Sequence, residues 1–181
     1  MTTFILRITK ILLITYFGLY MATAAGTNLL YSEINTKNIA DAMSMRNAPE
    51  QAQANRALLE PHYAENTLDI FISFQIFASA ACLLGALTLL INSFRDQSGF
   101  HKAKWLAAFG LMLIISIFFF GFIICANEYF MSFLNPDVNV KANGFYNTLL
   151  AIFSLGFLIQ PESMPITRKK SSNESSSSKS T

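Results

Sequence analysis

An all-α membrane bundle of four helices is the fold this sequence predicts, and three observations predict it. Apolar residues arrive in four long runs rather than alternating with polar ones, the signature of membrane spans. Charged residues make up only 13% of the chain, against roughly a quarter in soluble domains. Basic residues also gather on alternate segments between the runs, as the positive-inside bias requires of an even number of crossings.

The first run, Ile11 to Leu30, is apolar apart from hydroxyls and Asn28. The second spans Ile70 to Ile91 and the third Trp105 to Ala126. The fourth apolar core, Phe145 to Ile159, rises only about 22 Å, less than a hydrocarbon layer of about 30 Å. Its helix is therefore expected to begin earlier, with Asn135 as N-cap and Pro136 in the first helical position. With flanks, the spans are expected at about residues 7–30, 68–92, 103–127 and 137–160, with an outer loop at 31–67 and a tail at 161–181.

Charge counting sets the orientation. Arg7 and Lys10 precede the first span, Arg95, Lys102 and Lys104 lie in the middle connection, and Arg168, Lys169, Lys170 and Lys179 lie in the tail. The loop from Tyr31 to Asp69 carries Lys37, Arg46 and Arg56 against Glu33, Asp41, Glu50, Glu60, Glu65 and Asp69. Both termini and the middle connection are thus assigned to the cytoplasm, and the two remaining loops to the outside. A competing reading takes Arg7, Lys10 and the "ATA" at Ala22 to Ala24 as a cleavable signal peptide. Apolar character continuing through Leu29 and Leu30 argues against it.

The loop itself has helical patterns. Asn47, Pro49 and Glu50 look like a capping box opening a helix that Pro61 ends, and a shorter helix is expected from Thr36 to Met45. Such a loop is either a folded connector or a cap that binds a partner. The tail from Pro161 is rich in serine and lacks a hydrophobic pattern, a composition that does not fold alone. Its basic triplet fixes orientation and meets anionic headgroups.

Polar side chains in lipid are costly, so each needs a reason. Asn28, Gln75, Asn127, Glu128 and Asn147 collect at the outer ends of the four spans, while the inner half holds mainly hydroxyls such as Thr15 and Thr88. Two readings stand side by side. Either these groups tie helix ends together through hydrogen bonds of about 0.6–2 kcal/mol each, or they line an outward-facing pocket. Glu128 would find its partner in Lys141 or a basic residue of the outer loop. Small residues recur every four positions at Gly18, Ala22 and Gly26 on span one, and at Ala78, Cys82 and Ala86 on span two. That spacing lets backbones approach closely.

Several function classes find no support. A charge of +2 without a basic patch offers nothing to nucleic acid. His62 and His101 lie outside the apolar cores, so no axial haem ligand stands at depth. Cys82 and Cys125 have no metal-ligand spacing, and no phosphate loop, nucleophile elbow or HExxH motif occurs. No catalytic residue, metal or cofactor is therefore expected.

The order of five short segments carries a family resemblance: "TNLLYSEIN", "IADAMSMR", "NRALLEPH", a second span with Gln75, and "NEYFMSF" after the third. In this order the chain resembles the bacterial predicted small integral membrane proteins. Asn28, Met43 to Met45, Arg56 with Ala57, and Glu128 to Met131 match that pattern. Thr27, Arg46, Asn55, Asn127 and Tyr129 depart from it, and Gln75 stands where the family places an acid. The resemblance implies four spans in a bacterial inner membrane and supplies no activity. The expected role is a non-catalytic accessory or assembly subunit, with lipid and a membrane-protein partner or a second copy as contacts. The alternative is a small transporter or channel component with a polar outward-facing site.

Overall fold

The computed structural model describes residues 2–162; the basic and Ser-rich part of the expected tail lies outside the described residues. The described chain is helical, without strands. In order it comprises α1 (Thr2–Leu30), α2 (Ser32–Met43), α3 (Glu50–Arg56), α4 (Pro61–Ile91), α5 (Gln97–Lys102), α6 (Trp105–Ile115) and α7 (Lys141–Ile159). A π-helical segment, Ser116–Tyr129, continues α6 without a break, and two short 3-10 turns, Ser132–Leu134 and Pro136–Val138, lead into α7. Four stretches are long and apolar enough to cross a membrane: Thr3–Leu30, Pro61–Ile91, Gln97–Tyr129 and Pro136–Ile159. The end bearing α2 and α3 is called outer below, and the opposite end inner.

Helix α4 is the spine, flanked by α1 on one side and α6 on the other, while α7 packs on α6 and the π-helical segment. Close approach of α4 and α6 depends on two glycines. A Cβ on Gly110 would lie 2.5 Å from Cys82 Sγ, and one on Gly85 would lie 2.6 Å from the Ala107 nitrogen. Ala78, Cys82 and Ala86 are all buried on α4. On α1 the buried stripe runs through Ile14, Gly18, Met21 and Ala25. Gly18 packs on Leu83, and its carbonyl accepts a 2.9 Å bond from the buried Ser79 hydroxyl. Ala22 and Gly26 do not share this role: Ala22 is exposed, and a Cβ on Gly26 would touch nothing. On α1 the buried line from Ile14 to Ala25 instead advances by four, three and four residues, close to the 3.6-residue turn.

The loop helices differ from expectation at their ends. Helix α3 stops at Arg56, and Pro61 opens α4 rather than closing α3. Proline's missing N–H costs nothing in a first turn. Asn47 does not cap α3; its amide reaches the Leu134 carbonyl at 3.3 Å instead. Asn135 does cap, but caps the 3-10 turn at Pro136, and α7 begins only at Lys141.

At the inner end, charge is buried rather than solvated. Lys10 from α1 and Lys104 at the start of α6 each place Nζ 2.6 Å from Glu162 Oε1. Both also donate to the Gln160 carbonyl, at 2.5 and 2.9 Å. The Glu162 side chain is 0% exposed. Arg7 donates to the Ser93 and Arg95 carbonyls at 2.6 Å each and lies 4.7 Å over the Phe100 ring. Burial pushes the Glu162 carboxyl up, but hydrogen bonds and charge from Lys10 and Lys104 outweigh it and hold the group below the usual carboxylate value. Residues expected only to set orientation thus clamp the chain after α7 onto α1 and α6.

Candidate functional site at the outer helix ends

Three amides form a chain at the outer end. Asn35 Nδ2 on α2 donates to Asn28 Oδ1 on α1 at 3.1 Å, and Asn28 Nδ2 donates to Gln75 Oε1 on α4 at 2.8 Å. This ties the loop to two spans. Gln75 is 5% exposed, yet its own NH2 group donates to no described residue. Gln75 lines a cavity of about 300 Å³.

Most of the cavity's wall comes from four parts of the chain. Leu68, Phe71 and Gln75 of α4 form one side; Gly121, Phe122, Cys125 and Ala126 of the π-helical segment form another. Ile39, Ala42 and Met43 of α2 roof it, and Val138 to Val140 close the remaining side. Exposed Asn38 and Asn139 mark its mouth. Most of the wall is apolar, so the few polar groups stand out as the orienting ones. The π-helical backbone shapes one wall, and such turns recur at functional sites. Gly121 lets that wall approach α4, since a Cβ there would lie 2.7 Å from the Phe71 ring. Phe71 and Phe122 stack at 5.5 Å.

The roof is clasped to the segment after the third span. Arg46 reaches Asp41 at 3.9 Å and Asp137 at 3.7 Å. Arg56 donates to the Met131 sulfur at 3.1 Å and lies 5.5 Å over the Tyr129 ring. Met45 and Met131 both adopt left-handed backbone, φ 51° and 53°, uncommon for a side chain of this size. Met45 lies two residues past α2, and Met131 two past the π-helical segment, where it precedes the 3-10 turn at Ser132.

Of the five polar residues expected to form one cluster, the structure brings Asn28 and Gln75 together and leaves three outside the cavity. Asn127 is fully buried and donates to Glu128 Oε1 at 2.8 Å, with its own Oδ1 unpartnered. Glu128 is exposed and makes no ion pair with Lys141, whose Nζ instead lies 5.9 Å from the Phe133 ring. Asn147 donates to the backbone carbonyl of Asn143, one turn back on α7. Asn28 and Gln75 thus both tie two helices and line the cavity, while Asn127 bonds Glu128, and Asn147 bonds Asn143, each within its own segment. Among the described residues, no three His, Cys, Asp or Glu side chains gather as a metal site.

The family model described as "predicted small integral membrane protein (DUF2165)" matches residues 6–161. The chain belongs to this family. No curated protein and no solved structure matches it. Membrane integration is therefore the family's own description, and four spans are what this member's helices offer. The matched region includes both the outer cavity and the two residues, Gln160 and Pro161, that lead to the inner clamp. Asn35, Phe71 and Phe122 were not singled out from sequence. An asparagine seven residues after Asn28, two turns of helix, was the available signal for the first. Two phenylalanines among 17 carry no signal of their own.

Proposed function

We propose that the protein is a non-catalytic accessory or assembly subunit of a bacterial inner membrane, with both termini cytoplasmic, and that it holds a small ligand in its outer cavity. The observation that carries this reading is the Gln75 NH2 group, which donates to no described residue, on a side chain lining a chamber with mostly apolar walls. The cavity wall carries no His, Lys or Arg, and its one carboxylate, Asp137, is exposed at the rim beside Arg46. The roof helices suit a partner-binding cap. Native mass spectrometry of the protein released from its own membranes at native expression tests the reading. A partner chain together with a bound molecule of a few hundred daltons is expected; a lone, ligand-free chain contradicts it.

One observation favours a transporter component as the second reading. The cavity lies at the outer end, while the Lys10–Glu162–Lys104 clamp ties helix ends together at the inner end, an asymmetry that one state of an alternating pathway would require. In proteoliposomes this reading expects a flux of small neutral solutes that Asn28→Ala changes. No flux, or the same flux in the variant, removes it.

A further inference from the structure

We propose that the outer cavity takes an uncharged amphiphile bearing a carbonyl oxygen, and that Gln75 Nε2 donates to that oxygen. The proposal rests on the reading of the cavity as a binding site and specifies its ligand.

Three features define the class. First, the amide chain runs in one direction, from Asn35 through Asn28 to Gln75. Each acceptor in such a chain is polarised by the donor before it, so the terminal NH2 of Gln75 is a strengthened donor. It selects an acceptor oxygen. Second, charge selection is absent from the wall. Its one charged residue, Asp137, has an 80% exposed side chain at the rim and faces Arg46. A charged ligand would be desolvated here without a counter-charge, a large penalty. Third, the walls are aromatic and aliphatic. The stacked Phe71 and Phe122 rings and Phe130 line the same chamber, which a ring or acyl body fills. About 300 Å³ lies at the small end of ligand pockets. A ring carbonyl, as in a quinone, and an ester carbonyl, as in a glycerolipid, share this chemistry.

Cys125 supplies the readout, since its free thiol lines the cavity while Cys82 is fully buried. N-ethylmaleimide labelling of Cys125 in mild detergent is followed by intact mass, with duroquinone as the ring-carbonyl probe and dioctanoylglycerol as the ester-carbonyl probe. At least one probe is expected to slow labelling saturably, and which one does so identifies the source. Gln75→Met, close in length but without the donor, is expected to need about tenfold more probe or more. Its probe-free labelling rate and unfolding temperature report whether the fold is kept. Should Gln75→Met unfold, Gln75→Leu and Asn28→Ala give the same comparison, the latter weakening the donor by breaking the amide chain. Probe protection that is unchanged in folded donor-less variants overturns the proposal. Protection by hexanoate or tetramethylammonium, with neither carbonyl probe effective, overturns the ligand class and leaves the binding site standing. No protection by any probe overturns both.

Discussion

The two ends of this bundle handle polar groups in opposite ways. At the inner end, two lysines and a glutamate are buried together, both ammonium groups meeting Glu162 Oε1 while Oε2 keeps no hydrogen-bond partner. At the outer end, neutral amides bond to one another in series, and the last keeps a free donor beside a cavity. The contrast teaches that polarity near a membrane boundary does not by itself mark a site. A paired ionic cluster locks segments together, because opening it strands charge. An amide chain costs less to leave incomplete, and the incomplete end is available to a ligand.

That difference can be broken at either end, beginning with the largest effect. Glu162→Ala leaves Lys10 and Lys104 buried with only the Gln160 carbonyl, and should destabilise the protein by about 3–5 kcal/mol. Thermal unfolding in mild detergent measures it, with Trp105, next to Lys104, as the fluorophore. A loss below about 1 kcal/mol would show that the clamp is not what closes the inner end. Because the folded carboxyl is held below its usual value, the clamp's contribution is complete above the unfolded pKa and vanishes as pH falls through the folded one. Wild type should therefore lose stability only below the ordinary carboxylate range. Relative to Glu162→Ala, its advantage should shrink over that same acidic interval.

Next comes the spine. Gly110→Ala drives a Cβ into Cys82 Sγ and the Cys82 backbone nitrogen, and should cost about 1–3 kcal/mol by overpacking. It should leave probe binding at the outer cavity intact. Gln75→Met without ligand should cost only about 0.6–2 kcal/mol, although it abolishes the donor. The smallest effect is expected at the rim. Arg46→Ala removes long, half-exposed ion pairs to Asp41 and Asp137, worth below about 1 kcal/mol. Its sensitive readout is faster proteolysis of the 44–49 connection, since the roof loses one clasp.

Much of this was legible in the sequence for a physical reason. Lipid forces long apolar runs on any crossing helix, so four spans and the all-α class could be read directly. The close approach of α4 was readable from Ala78, Cys82 and Ala86, because small residues leave a groove wherever they fall on a contact line. The α1 stripe was not, since Ala22 and Gly26 have the right size on the wrong face. Asn28 and Gln75 were legible as costly polar groups at matching depth. Depth cannot give azimuth, however. Asn127 and Asn147 lie at similar depth but are turned toward other partners. Glu162 was hidden by its neighbourhood: a carboxylate two residues beyond Gln160, in a polar tail, looks solvated until the chain folds back. The π-helical widening of the third span has no sequence marker, as its residues are ordinary apolar ones.

The central claim is that the bundle is open at the outer end and closed at the inner one, and sided thiol labelling tests it most directly. In sealed membrane vesicles of known orientation, a membrane-impermeant maleimide is applied first from the loop-bearing face and then from the opposite face. The account predicts one label per chain, on Cys125, added only from the loop-bearing face and faster in Arg46→Ala. Labelling of Cys125 from the clamp side, or of Cys82 from either side, would contradict it.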